Sequence, residues 1–149
     1  MQKILTAMII AACATSTFAF AKWKYEVTVD QMTGSKTQVA SVRSSNTNRR
    51  ATLAIADGTT IFVYIDRGSF NCVNECSYMR VKIDDSPYLV TAVNVGGGSG
   101  QFNMIKFKES KEFIAEMLEK IKTSKTMLID APLYSESLPP MKFDISNLK

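Results

Sequence analysis

Histidine is absent from the 149 residues, so the residues that could do chemistry are few. Imidazole is the base in Ser-His-Asp and Cys-His nucleophile systems and a ligand in many zinc sites, and those arrangements are excluded. Three cysteines occur, Cys13, Cys72 and Cys76. The last two are spaced C-x3-C between β-like segments, a pair that in an oxidising compartment is most simply read as one disulfide closing a small loop. Such a ring stabilises a fold by only about 2 kcal/mol and so shapes a turn more than it holds a domain. Free thiols and a redox pair are the alternatives, although redox pairs favour C-x2-C at a helix start. A metal site would need two further thiol or imidazole ligands that the chain does not have.

Three other patterns invite a reading. Gly96-Gly97-Gly98-Ser99-Gly100 is rich enough in glycine to cradle a phosphate, but it leads into a strand at Gln101-Phe102 and not into a helix start, so a flexible hairpin loop fits better. Asp84-Asp85 could share a cation. No spaced calcium-loop ligands surround the pair, however, and Ser86-Pro87 beside it completes a turn. Ser146 to Lys149 matches a serine-lysine nucleophile pattern only at a terminus. A carboxylate pair could hydrolyse a glycoside, but no two of the 14 acidic residues stand out. The sequence thus offers no catalytic, cofactor-binding or metal-ligating residue. Candidates for recognition are Trp23, Tyr78 and Tyr88, with Asp84 and Asp85 in the turn between the tyrosines.

These residues need a compartment. Lys3 gives a positive start, and Ile4 to Ala14 is apolar and uncharged, well short of the roughly 20 residues needed to span a bilayer. Thr15-Ser16-Thr17 and Ala19-Phe20-Ala21 follow, the last with the small-x-small form of a signal-peptidase site. Residues 1–21 read as a signal peptide and 22–149 as one domain. A rival reading makes Ile10-Ala11-Ala12-Cys13 a lipobox, with Cys13 acylated and the protein anchored to a membrane in the envelope. Both readings export the chain to the periplasm or beyond.

The elements that must position the candidates follow from periodicity. Trp23, Tyr25, Val27 and Val29 alternate with polar residues, which predicts a half-buried strand, and Met32 to Ser35 turns the chain into a second arm over 37–43. Asp57-Gly58 joins two strands as a tight hairpin. Ile61, Val63 and Ile65 alternate with Phe62 and Tyr64, and two apolar faces predict a central strand. Met79, Val81 and Ile83 mark a strand that stops at Asp85-Ser86-Pro87, and apolar runs follow at 88–95 and 101–108. From Ser110 the period changes: Phe113, Ile114, Met117, Leu118 and Ile121 form one face of a helix capped by Ser110. Strands at 127–133 and 141–145 close the chain. The expected fold is α+β: mostly antiparallel β, sandwich-like or a curved sheet, with one helix in the C-terminal half packed on it.

Net charge is +4, with the basic residues scattered, which argues against a nucleic-acid partner. The order of Trp23, Asp30-Gln31-Met32-Thr33-Gly34, Cys72 and Cys76, Val81-Lys82-Ile83-Asp84-Asp85, the helix with Phe113, Ile129-Asp130-Ala131-Pro132-Leu133-Tyr134 and Phe143-Asp144-Ile145-Ser146-Asn147-Leu148 resembles a family of small exported proteins of Gram-negative bacteria and their prophages. The D-x-M-T-G turn and the closing strand are also similar to the periplasmic accessory proteins TagO and VasI of type VI secretion, although Asn147 stands where that pattern often has Gly. The resemblance implies a binding or assembly role outside the inner membrane, not a reaction. The expectation is a non-enzymatic protein with a protein partner in the cell envelope. The alternative is a proteinaceous inhibitor of an exported enzyme such as a lysozyme, its plug the loop 94–100 or 135–140. Mass spectrometry of the exported protein should find a chain that starts at Lys22 with Cys72 and Cys76 oxidised; Met1 retained and both thiols reduced would refute export.

Overall fold

A computed structural model describes residues 22–45, 51–72, 74–95, 103–133 and 139–149. The leader with Cys13, the glycine run and most of the 135–140 loop lie outside the described residues. Nine strands and one helix follow in chain order: β1 Lys24–Val29, β2 Lys36–Arg43, β3 Ala51–Ala56, β4 Thr60–Ile65, β5 Glu75–Ile83, β6 Ser86–Asn94, β7 Met104–Phe107, α1 Lys111–Lys122, β8 Thr126–Asp130 and β9 Met141–Asp144.

All nine strands belong to one sheet, ordered β1-β2-β3-β4-β7-β6-β5-β8-β9, and every pairing is antiparallel. The fold is therefore α+β, and of the two expected forms it is the curved sheet and not a stack of two sheets. The curl is strong enough to bring the last strand back to the second. Ser44 bridges Phe143, and the Ser45 amide donates to the Lys142 carbonyl at 2.8 Å. One edge of β2 thus serves β1 along most of its length and meets β9 just past its end.

Alternation decides which side is buried. Leu53, Ile61, Val63, Ile65, Val81, Ile83, Ile105, Met127, Ile129 and Phe143 point inward from six strands and are at most 2% exposed. β4 does lie inside the sheet, between β3 and β7, and its outer face carries Phe62 and Tyr64 over Ala54 and Thr52. α1 supplies the other layer: Ile114, Met117, Leu118 and Ile121 are buried, the Ser110 hydroxyl accepts the Phe113 amide at 3.2 Å, and Lys120 and Lys122 lie in the negative last turn.

The tight turns use residues that tolerate the left-handed region. Asp57 and Gly58 have φ of 49° and 62°, the left-handed centre of a turn closed by the Thr59 amide on the Ala56 carbonyl at 3.0 Å, and because Ala56 pairs with Thr60 the loop has three residues and not two. A Cβ on Gly58 would meet nothing within 4 Å, so its backbone angle and not space explains the glycine. Asn147 has φ of 63°, which asparagine accepts at modest cost. The β5–β6 turn is shorter than its sequence suggests. Ile83 pairs with Ser86, so Asp84-Asp85 is the whole turn and Ser86-Pro87 already belong to β6. Proline is tolerated there because β7 flanks β6 only from Ala92 to Asn94.

The first strand departs most from expectation. Tyr25, Val27 and Val29, expected to be half-buried, are 50%, 58% and 53% exposed. They do face the inner side, since Tyr25 pairs with Ala40 and Ala40 with Ile55, but the β1–β2 hairpin runs out beyond the core, and Leu118, Lys122 and Leu148 cover that face only in part. Phe143→Ala should lower unfolding free energy by about 3–5 kcal/mol in denaturant titration, against less than about 0.5 kcal/mol for exposed Glu116→Ala.

Candidate functional site

Most acidic side chains are occupied in holding the fold. Asp30 Oδ1 accepts the amides of Met32 at 2.7 Å and Thr33 at 3.2 Å, which shapes the D-x-M-T-G turn and leaves Met32 94% exposed at its tip. Asp57 Oδ1 accepts the Gln38 amide at 2.8 Å, and Asp144 Oδ1 takes both the amide and the hydroxyl of Ser146. Asp66 pairs with Arg43, Asp130 with Arg80, Glu75 with Lys108 and Glu119 with Lys122. Glu109 Oε1 receives the Thr91 amide at 2.6 Å. Among the described residues no group of three or more His, Cys, Asp or Glu could hold a metal ion.

The five recognition candidates separate in the structure. The Trp23 indole N–H donates to the Ser146 carbonyl at 3.0 Å, tying the start of the domain to its end, and the Tyr25 hydroxyl accepts the Lys149 amide at 3.1 Å. Tyr88 is partly buried, with its ring edge-on to Phe113 at 6.0 Å between centroids, so it joins β6 to the helix. Asp84 Oδ1 accepts the amides of Thr126 at 3.0 Å and Lys125 at 3.1 Å, fixing the β5–β6 turn against the start of β8. Those two donors hold its carboxyl below the usual carboxylate range. Asp85 is an exposed turn residue.

Among the described aromatic residues Tyr78 is the most exposed, at 78%. It lies in a bulge where Ser77 and Tyr78 interrupt the pairing between Cys76 and Met79. Its φ is 57°, a left-handed conformation unusual for a bulky residue. Cys76, two residues before it, is disulfide-bonded to Cys72 with 5.2 Å between Cα atoms. Asn94 fastens the same loop, its side-chain amide donating to the Cys72 carbonyl at 3.4 Å and its backbone amide to Asn74 at 3.2 Å.

Beyond the bulge the outer faces of β5, β6 and β8 form a groove of about 490 Å³. Cross-strand rows build it: Leu89, Arg80 and Asp130 in one, Pro87, Lys82 and Leu128 in the next, with Pro140 at the rim. Leu89 is 60% exposed. Sequence reading missed this groove because its apolar members come one or two from each strand. Leu89 was hidden in an apolar run, and Leu128 alternates with buried neighbours. Only the register Arg80 to Leu89 and Lys82 to Leu128 brings them together.

Over its described residues the molecule is thus an α+β protein with a single curved antiparallel sheet, one covering helix and an exposed aromatic-apolar outer face. No protein-family model matches the chain, and neither a curated protein nor a solved structure matches it.

Because folding lowers the Asp84 pKa, its contribution to stability is present above the ordinary aspartate value of about 4 and is lost as pH falls through the lower folded value. Asp84→Ala should therefore lower Tm at pH 7, and the gap to the unaltered protein should narrow progressively in thermal melts taken below pH 4. A gap that stays constant to pH 2 would show that the carboxylate charge is not what holds the turn.

Proposed function

We propose that this protein is an exported binding or assembly-accessory module of the cell envelope that acts through protein contacts and not catalysis, with the outer face of β5, β6 and β8 as its docking surface. The observation that carries the proposal is Tyr78, held exposed at a φ of 57° on β5 two residues before Arg80, which lines a groove that also exposes Leu89. A left-handed angle costs a bulky residue about 1–3 kcal/mol, and such strain gathers at functional positions. Aromatic residues, arginine and a desolvatable apolar centre are also what protein interfaces concentrate. Here Arg80 pairs with Asp130, which sets its planar guanidinium on the outer face across from Leu89. Lys82 adds a cation at the rim, and a fitting partner surface is apolar with acid groups around it. The likeness of the D-x-M-T-G turn and closing strand to TagO and VasI supports an envelope setting for such contacts.

The test is affinity recovery from envelope extract with the protein as isolated from cells, compared with a Tyr78→Ser/Leu89→Ser double variant. One partner should be retained by the unaltered protein and its recovery should fall at least tenfold with the double variant, whose circular dichroism should be unchanged. Equal recovery by both would reject this face. Inhibition of lysozyme at equimolar protein, with no partner retained, would replace the assembly role with the inhibitor one.

A further inference from the structure

We propose that two copies of this protein associate edge to edge through β1, forming an antiparallel pair centred on Val27 that continues the sheet from one copy into the other. β1 ends the strand order and pairs only with β2. The opposite end of the sheet is closed differently, because β9 meets Ser44 and Ser45 past the end of β2. Among the described residues no backbone hydrogen bond reaches the outer edge of β1.

The direction of its backbone groups follows from the turn. The Asp30 amide donates to the Ser35 carbonyl at 2.9 Å, so Asp30 and Ser35 are a hydrogen-bonded pair. Such pairs alternate along an antiparallel ladder. Stepping back along the register, Thr28, Glu26 and Lys24 bond to β2, whereas Val29, Val27 and Tyr25 turn their N–H and C=O groups outward. The residues with unpaired outward backbone are therefore the same ones whose apolar side chains are 50% to 58% exposed.

A two-fold axis perpendicular to the sheet keeps like faces on one side and admits few registers. With Val27 on the axis, Val27 faces Val27 of the second copy and Tyr25 faces Val29, so every outward N–H and C=O of the three residues finds a partner. On the other face Lys24 lies opposite Asp30, and Glu26 opposite Thr28, which is charge complementarity across the join. Centring on Glu26 sets two glutamates against each other and opposes Val29 to Trp23, which lies outside β1. Centring on Thr28 sets Glu26 against Asp30 and leaves Tyr25 unpaired. The sequence Lys-Tyr-Glu-Val-Thr-Val thus matches itself best in one register. This surface is separate from the β5–β6–β8 groove, so either proposal can fail without the other.

Sedimentation equilibrium on the protein as isolated from cells should show a concentration-dependent dimer. Val27→Pro should shift it to monomer while the thermal melt stays cooperative, because the lost N–H points away from β2 and proline is accepted on an open strand edge. Val27→Cys should cross-link to a dimer on a non-reducing gel, whereas Glu26→Cys and Thr28→Cys, which do not face themselves, should cross-link at least tenfold less. A monomer at all concentrations, or a dimer indifferent to Val27→Pro, would overturn the proposal. Cross-linking strongest at Glu26 or Thr28 would overturn the register.

Discussion

The constraint on which the architecture depends is the return of β9 to β2. A nine-stranded antiparallel sheet with one apolar face must cover that face, and a single helix of twelve residues is too short to do so on a flat sheet. Curling solves the problem, since inward side chains of facing strands then bury one another and the helix fills what is left. Phe143 sits where the curl is closed, fully buried and bridged to Ser44. Once β9 takes the position past the end of β2, β1 cannot be enclosed. Its exposed apolar side follows from the closure and is not a local irregularity.

The same closure explains why the two proposed surfaces differ in kind. The β5–β6–β8 groove lies on the outer face, where β5 is paired on both sides and the contacts fall to side chains. The β1 edge offers backbone as well, and there alternation sorts the groups so that the outward amides and the apolar side chains belong to the same residues. Side-chain contacts select a partner by shape and charge, whereas an open edge selects by register.

Much of the fold was legible in the sequence because its elements obey simple periods. The helix from Lys111 announced itself through its 3.6-residue stripe and Ser110 cap, and Asp57-Gly58 through the special backbone its hairpin requires. β4 gave away its interior position through apolar residues on both faces. Illegible parts share a cause. The bulge at Ser77 and Tyr78 breaks the two-residue period, so the start of β5 at Glu75 is invisible to alternation. The groove depends on which strands become neighbours, and the order β4-β7-β6-β5-β8 cannot be inferred from any one strand. Trp23 carried an ambiguous signal: its alternation suggested burial and its indole suggested recognition, and the indole N–H is satisfied by Ser146, far away in sequence.

That Trp23 contact, with the Lys149 amide on Tyr25, puts the two ends of the domain side by side. Splicing the end of the domain to its start through a short peptide and cutting a surface hairpin instead would leave every strand with its present neighbours. Segments attached before Lys22 and after Lys149 would leave the described fold at the same corner, at the other end of β1 from Met32.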